Sequence, residues 1–377
     1  MPLSGQTSIT LRHSPAFPDF LAEQRIGLAV TTYQAGLLLL LGLDTRGRVS
    51  LTDIALERCM GLACDSGALH VAATHQIWRF QNVLPPGTVS GDRDAVFAPR
   101  TCWVTGAVDT HDVATGPNGQ PIFVNTLFSC IATVSDRYNF IPLWRPGFIS
   151  RLAAEDRCHL NGLAMREGQP AFATLAGESD APGGWREKTR DGGRLIEIES
   201  GEVAVAGLSM PHSPRWYRDR LWLLNAGTGE FGWADTRAGR FEPVAFCEGY
   251  ARGLTFSGDY AIIGTSLPRG ADGFQGLPLA EILDGRSATP RCGIQAIDLR
   301  DGATIHRLGF SAPIQELYDV AVIPGVKSPM AFDPESEAAR KTFAIGPGPV
   351  QKGRDLDRLR GRYAQGFRQR VYPDREM

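Results

Sequence analysis

Short apolar segments separated by polar turns run along most of the chain. The segments Leu37 to Leu43, Leu69 to Ala73 and Leu221 to Asn225 are five to seven residues long, and Gly, Asp or Asn residues stand between segments of this kind. Segments of this length joined by such turns are typical of antiparallel hairpins. The pattern therefore predicts an all-β protein built of consecutive hairpins.

One four-residue phrase recurs six times and sets the period of this pattern. It consists of a polar or bulky residue, a small or acidic residue, an apolar residue and usually Ala. The six instances begin at Met60, His111, Asn161, His212, Arg252 and Tyr318. Successive instances begin 51, 50, 51, 40 and 66 residues apart. A period of about 50 residues is that of a four-stranded propeller blade.

The two ends of the repeat region complement each other. No strand pattern follows the sixth phrase at 318–323, whereas three apolar segments precede the first phrase, at 27–33, 37–43 and 49–54. If these segments pair with the last inner strand, the sixth blade is complete and the ring has no open edge. We therefore predict a six-bladed β-propeller over residues 17–326, in which the N-terminal strands of residues 27–54 complete the last blade.

A seven-bladed ring is the alternative, because the 66-residue interval before Tyr318 is long. Residues 267–291 within that interval are rich in Gly, Pro and Asp and lack strand alternation. An insertion that forms a loop over one face therefore explains the interval better. After the repeats, residues 327–377 lack alternation and are expected to form a loosely packed or flexible C-terminal extension. A helix at 354–370 that contacts a partner is the alternative for that segment.

Composition narrows the class of protein. Lys and Arg number 39 against 41 Asp and Glu, so the basic excess typical of nucleic-acid binding is absent. The 43 Gly and 25 Pro agree with a turn-rich chain, and the seven Cys include no C-x-x-C pair, which argues against a disulfide framework or a zinc knuckle. No apolar run approaches the length of a membrane span, and the N-terminus lacks the apolar core of a secretory signal. We expect a cytoplasmic protein with no membrane partner.

The repeat phrase also predicts where chemistry is located. The first strand of a propeller blade lines the central channel, so the first residues of the six phrases occupy equivalent channel positions. Residues two earlier lie on the same side of the strand. This second set is Arg58, Asp109, His159, Met210, Tyr250 and Glu316. Three of the chain's seven His belong to the two sets, which favours a shared site in the channel over three separate structural roles.

Specific roles follow from the chemistry of these side chains. We predict that His111 and His212 act as catalytic acid and base and that Tyr318 and Asp319 assist proton transfer. The predicted substrate-binding residues are Asn161, Arg252 and Glu316. The predicted metal ligands are His111, His159 and His212, which would hold one divalent transition metal, the alternative being no cofactor. For Asp112 and Asp319, capping of neighbouring loops or pairing with an arginine is an equal alternative.

The segments Thr110 to Ala114, Cys158 to Ala164, Met210 to Tyr217 and Glu316 to Ala321 resemble a bacterial family of conserved propeller-like proteins known only as a domain of unknown function. This resemblance covers about residues 17–349 and implies the propeller fold but no catalytic roles. The architecture is also similar, more distantly, to the six-bladed hydrolases of the gluconolactonase and paraoxonase type, which hold calcium with Glu, Asn and Asp. The predicted channel is richer in His and Arg, which argues against a calcium lactonase.

Two functions remain as hypotheses. The first is an enzyme whose His-rich active site in the channel acts on a small anionic substrate, by hydrolysis, elimination, isomerisation or oxidation. The second is a propeller that binds a protein, a peptide or a small ligand without catalysis, which the long loop at 267–291 and the Arg-rich end of the chain favour. The expected partner is a small anionic molecule or a peptide.

Overall fold

The structure, a computed structural model, describes residues 9–269, 274 and 276–346. Within these residues, six sheets of four or five strands, antiparallel except for one parallel pair at an edge, form the blades of a ring. The predicted six-bladed β-propeller is thereby confirmed. We number the blades by the order of their inner strands along the chain.

The N-terminal strands close the ring, as the sequence predicts. After strand β1 (Leu11–His13) and helix α1 (Phe17–Gln24), the chain forms β2 (Ile26–Thr32), β3 (Leu37–Leu43) and β4 (Val49–Ala55). Strand β2 pairs antiparallel with β25 (Asp319–Pro324), so that the order β25-β2-β3-β4 makes blade 6 from both ends of the propeller. Each of the three N-terminal strands ends within one residue of the predicted bounds.

Blades 1 to 4 are consecutive along the chain, and each is built from four successive antiparallel strands. Blade 1 consists of β5 (Leu62–Asp65), β6 (Ala68–Ala72), β7 (Gln76–Asn82) and β8 (Ala95–Val104). Blade 2 consists of β9 (Thr110–Thr115), β10 (Pro121–Asn125), β11 (Cys130–Thr133) and β12 (Ile141–Trp144). Blade 3 consists of β13 (Leu160–Arg166), β14 (Gln169–Leu175), β15 (Gly193–Glu197) and β16 (Val203–Leu208), with a 3-10 helix at Gly184–Lys188. Blade 4 consists of β17 (Pro211–Tyr217), β18 (Arg220–Asn225), β19 (Glu230–Asp235) and β20 (Arg240–Phe246).

Blade 5 carries the long insertion. Its strands are β21 (Tyr250–Ser257), β22 (Tyr260–Ser266), β23 (Gly293–Asp298) and β24 (Thr304–Phe310), and β1 adds a fifth strand at the outer edge. The predicted loop at 267–291 connects β22 to β23 and contains a short helix, α2 (Pro278–Gly285), which the loss of strand alternation did not indicate. Residues 270–273 and 275 of this loop lie outside the described residues.

The beginning of the expected extension is part of blade 1. Strand β26 (Pro329–Ala331) pairs parallel with β8, so these residues are not loosely packed. Two glycines of blade 6 make room for this segment, because a Cβ atom built on Gly27 or Gly42 would lie 3.0 or 2.6 Å from the Pro329 ring. A short helix, α3 (Glu337–Lys341), follows. The helix considered at 354–370 lies outside the described residues.

Apolar side chains hold neighbouring blades together. Leu39 and Leu41 of blade 6 pack with Ile262 and Ile294 of blade 5 in one buried cluster, which Phe20 of α1 joins. Burial of such side chains is the main favourable contribution to folding. None of the helices among the described residues is long and apolar enough to cross a membrane.

Candidate functional site

The six inner strands begin at one end of the channel, and an unusual backbone conformation precedes four of them. Arg58, Asp109, His159 and Met210 have φ angles of 49°, 52°, 50° and 45°. Few residues other than glycine adopt this left-handed region, and such residues concentrate at functional sites. Because this conformation recurs in blades 1 to 4, it is a regular feature of this end of the channel. We call this end, with His111, His159 and His212, the histidine face.

Two of the histidines contact a backbone carbonyl oxygen through the same ring nitrogen. Nδ1 of His111 lies 2.9 Å from the carbonyl oxygen of Asp109, and Nδ1 of His212 lies 2.8 Å from that of Met210. A carbonyl oxygen only accepts hydrogen bonds, so Nδ1 must carry the hydrogen in both rings. In each neutral ring, Nε2 is therefore left with a free lone pair that can accept a proton.

The third histidine is positioned by an aspartate and a tryptophan. Nδ1 of His159 lies 2.9 Å from Oδ2 of Asp156, and Nε1 of Trp185 donates to the same oxygen at 2.9 Å. The indole stacks on the His159 ring with centroids 4.0 Å apart. His159 in turn meets His111 edge to face at 4.7 Å. Two predicted metal ligands are therefore neighbours, and Asp156 fixes the orientation of one of them.

An arginine connects the remaining predicted residues. The guanidinium of Arg252 lies 4.8 Å from the ring centroids of both Tyr250 and Tyr318, and its Nη1 donates to Oε1 of Glu316 at 2.7 Å. Tyr318 meets His111 at 5.6 Å, and Tyr250 meets His212 at the same centroid distance. This chain of contacts brings His111 and His212 into one site with Arg252.

Two further arginines lie at the mouth of this site. Arg269 donates through Nε to Oε1 of Glu316 at 3.0 Å and stacks over Tyr33, while Arg58 stacks over the same ring and donates to its hydroxyl. The Tyr33 ring lies 5.8 Å from that of Tyr318.

The positive charge at the mouth is concentrated beside Glu316. The guanidinium groups of Arg252 and Arg269 share this one carboxylate, whereas Arg58 faces two other carboxylates. The two arginines and Glu316 together carry one net positive charge, which favours anions.

Burial sets the protonation states. Loss of water contact, reinforced by His159 beside His111 and by Arg252 beside His212, holds the pKa of both histidines well below the usual value. Burial also raises the pKa of the Tyr318 phenol well above its usual value, against the effect of Arg252. At neutral pH the site thus combines neutral imidazoles, which are bases, with a protonated phenol, which is an acid.

Several buried polar atoms of the site lack a hydrogen-bond partner among the described residues. They are Nδ2 and Oδ1 of Asn161, Nε2 of His212, Nε of Arg252, Oε2 of Glu316 and the hydroxyl of Tyr318. A buried polar group without a partner costs about 1–3 kcal/mol. Five residues with such atoms in the inner strands and the segments just before them are therefore typical of a site that binds a polar ligand.

Asp319 belongs to a second cluster, at the middle of the channel. Its carboxylate accepts backbone N–H groups of Leu62 and Val320 and lies 3.7 Å from Arg215, which is bidentate to Asp112 at 2.7 and 3.0 Å. The structure thus shows the arginine pairing that was the alternative for both aspartates. It does not bring Asp319 to the histidines, although Tyr318 precedes it.

The second residues of the phrases connect the inner strands of neighbouring blades at the depth of Asp319 in the channel. Three polar residues, Asp112, Ser213 and Asp319, alternate around the channel with Gly61, Gly162 and Gly253. The side chain of each polar residue accepts a backbone N–H from the next blade. A Cβ atom on Gly61 would lie 2.8 Å from the backbone of Asp112, so the glycines permit this close approach.

Two cavities lie away from the histidine face. One of about 340 Å³, at the opposite mouth, is lined by Arg215 and by apolar residues of the inner strands. The other, of about 630 Å³, lies between β1 and the ends of β22 to β24, and one buried unpaired atom, Oε1 of Gln295, borders it. The concentration of unpaired atoms at the histidine face makes that face the stronger candidate.

The three histidines are the predicted ligands of a metal. Among residues 9–269, 274 and 276–346, no group of three or more His, Cys, Asp and Glu side chains is arranged to hold a metal ion. A transition metal shared by His111, His159 and His212 stays a prediction.

Sequence reasoning missed several residues of the site. Tyr33, Trp185 and Arg269 lie in loops between the second and third strands of their blades, and Asp156 precedes an inner strand. These loops follow no repeat, so no sequence signal placed them at the channel. Arg58 and Tyr250 belong to the second channel set, but the repeat pattern predicts no role for either.

Residues 15–332 match the family described as "Domain of unknown function (DUF4915)". The chain belongs to this family. The resemblance seen in the repeat phrases is thereby confirmed. None of the curated proteins compared with the chain matches it.

Among solved structures, the DUF4915 propeller is similar to a chain of "Crystal structure of Nidogen/Laminin Complex", at 12% identity over 80% of this chain and 99% of that chain, with a TM-score of 0.51. A protein of unknown function from Bacteroides caccae matches at 13% identity over 79% and 98% of the chains, with a TM-score of 0.47. An inactive virginiamycin B lyase from Staphylococcus aureus matches at 12% identity over 80% and 99%, with a TM-score of 0.39. At 12% identity, the similarity to the chain of the nidogen/laminin complex concerns the fold alone.

Proposed function

We propose that the protein is an enzyme that binds a small anionic substrate at the histidine face and transfers protons between it and the imidazoles of His111 and His212. The observation that carries this proposal is the shared geometry of the two rings. Both hold Nδ1 against a backbone carbonyl and leave the lone pair of a neutral Nε2 within the electrostatic influence of Arg252. A purely structural histidine gains nothing from a buried Nε2 without a partner, as His212 has.

Each neighbouring group has a role in this proposal. Arg252, whose pKa is raised by Tyr250, Tyr318 and Glu316 in spite of burial, stays charged and attracts the substrate anion. Tyr318 keeps its proton at neutral pH and can donate it to an oxygen on which negative charge develops. His159, fixed by Asp156, supports the position of His111 through the edge-to-face contact.

The reaction type follows from the combination of base and acid. A neutral imidazole removes a proton from a substrate carbon or hydroxyl, and a phenol protonates the oxygen that becomes basic. Elimination, isomerisation and hydrolysis of small acids all use this pair. A divalent metal at His111, His159 and His212 is a further prediction, which metal analysis of protein purified without an affinity tag would test.

The test follows substrate conversion directly. A set of small carboxylic acids is incubated with the protein in D2O, and ¹H NMR monitors loss of C–H signals and appearance of products. We expect conversion of at least one acid by the wild type. In His111→Gln and His212→Gln, the rate should fall by about 100-fold or more, the usual contribution of a general acid or base.

A histidine outside the channel provides the matched control. His13→Gln, in the exposed strand β1, should retain the wild-type rate. Equal rates in all three variants would contradict the proposal. Saturable binding of an acid that is never converted would support the alternative, a binding module without catalysis.

A further inference from the structure

The unpaired buried atoms of the histidine face fall into two chemical kinds. Oδ1 of Asn161, Nε2 of His212 and Oε2 of Glu316 accept hydrogen bonds. Nδ2 of Asn161 and Nε of Arg252 donate, and the hydroxyl of Tyr318 does both. All five side chains belong to residues that are more than nine-tenths buried. The ligand of this site must therefore supply donors as well as acceptors.

The acceptors and donors lie on adjacent blades. Gly162, which follows Asn161, approaches Ser213, which follows His212, so closely that a Cβ on it would lie 3.0 Å from the Ser213 nitrogen. Arg252 contacts both Tyr318 and Glu316 directly. The Tyr250 ring, which lies 5.6 Å from that of His212 and 4.8 Å from the Arg252 guanidinium, connects the two pairs of blades.

A simple carboxylate does not fit this set of atoms. A carboxylate only accepts, so it can satisfy the arginine, the phenol and the amide nitrogen but none of the three acceptors. The acceptors need O–H or N–H groups of the ligand. An ammonium group would bring a positive charge close to Arg252 and Arg269, whereas a hydroxyl group is neutral.

The number of acceptors and the net charge define the ligand further. Three buried acceptors call for two or more hydroxyl groups, and the net positive charge of Arg252 and Arg269 around Glu316 matches one carboxylate. Building on the proposed function, we propose that the substrate is a polyhydroxylated monocarboxylic acid, in chemical class a sugar acid. Arg252 attracts its carboxylate, while Asn161, His212 and Glu316 accept hydrogen bonds from its hydroxyl groups.

Three six-carbon probes distinguish binding of the carboxylate from binding of the hydroxyl groups. Isothermal titration calorimetry at pH 7.5 compares D-gluconate, which has charge and hydroxyl groups, n-hexanoate, which has charge alone, and D-glucitol, which has hydroxyl groups alone. We expect D-gluconate to bind about tenfold or more tighter than either of the others, since each buried hydrogen bond contributes severalfold.

The variant Asn161→Leu tests the hydroxyl contacts. Asn161 makes no side-chain hydrogen bond among the described residues, so an apolar replacement of similar size should leave the melting temperature unchanged or higher. The affinity for D-gluconate should fall by about tenfold, whereas that for n-hexanoate, which can accept a hydrogen bond only from the amide nitrogen, should fall less. Ser66→Ala, in an exposed turn of blade 1, is the control and should change neither affinity.

Each outcome of these titrations tests a different part of the proposal. If n-hexanoate binds as tightly as D-gluconate, or if Asn161→Leu weakens both equally, the sugar-acid inference is overturned while an anion site remains. If D-glucitol binds as tightly as D-gluconate, the anion site of the proposed function is overturned. If none of the three probes binds the wild type, the sugar-acid inference is overturned as well, and the acid conversion test then decides the proposed function alone.

Discussion

Replacing Arg215 by Met removes the cation that lies between the buried carboxylates of Asp112 and Asp319. Asp112 and Asp319 have side-chain exposures of 4% and 3%, against 22% for Arg215. In Arg215→Met both carboxylates lose their salt-bridge partner without any change in their burial. Removing one member of a buried ion pair typically costs about 3–5 kcal/mol, because the remaining charge is left uncompensated. We expect the lower end of this range, since Arg215 is partly exposed.

The pH dependence of this loss has a definite sign. Burial and the nearby Asp112 raise the pKa of Asp319 above its usual value, and Arg215 opposes that rise. Without Arg215 the pKa rises further, so the folded variant binds a proton more tightly than the unfolded chain does. The variant therefore recovers stability relative to the wild type as pH falls, by at most about 1.4 kcal/mol per pH unit for one proton.

Denaturant unfolding followed by tryptophan fluorescence at pH 8 and pH 5.5 measures both effects. Arg218→Met is the matched control, because Arg218 pairs with Asp259 at the surface, with exposures of 55% and 44%. We expect the control to lose less than about 1 kcal/mol at either pH. Equal losses for the two variants, or a larger loss for Arg215→Met at pH 5.5 than at pH 8, would refute the reasoning.

Two further predictions concern the ring closure and the histidines. Gly61→Ala should lower the free energy of unfolding by about 1–3 kcal/mol, because its Cβ would lie 2.8 Å from the backbone of the next blade. Gly147→Ala is the control, since Gly147 has open space around it, and it should match the wild type in the same denaturant melt. The His212 imidazole should show hydrogen on Nδ1 and no positive charge at pH 7 in ¹⁵N NMR, since burial lowers its pKa, and folding stability should fall only when pH drops below the usual histidine pKa. A charged His212 ring at pH 7 would contradict the assignment.

The repeat phrase carries most of the information about the fold. Its six occurrences and the three apolar segments before Met60 predict the number of blades and the closure by β2 to β4, because each blade buries the same kind of strand at the same period. Additions at the edges have no such signal. Strand β1 and strand β26 are three residues long, and each pairs with a blade far away in sequence, with β24 and β8. Only tertiary contacts determine such pairings.

The candidate site likewise combines residues that the repeat predicts with residues that it does not predict. His111, His212, Arg252 and Tyr318 start their phrases, so the repeat alone places them together at one end of the channel. The roles of their neighbours depend on side-chain direction. Asp319 directly follows Tyr318, yet it lies with Arg215, because consecutive residues of a strand point to opposite sides.

The central claim is that the substrate binds at the histidine face. A crystal structure of the protein grown with D-gluconate tests this most directly. We predict electron density for the acid between His111 and His212, with its carboxylate toward Arg252 and hydroxyl groups within hydrogen-bond distance of Asn161 and Glu316. Density for the acid beside Arg215 at the opposite mouth, or no density in the channel at saturating concentration, would contradict the account.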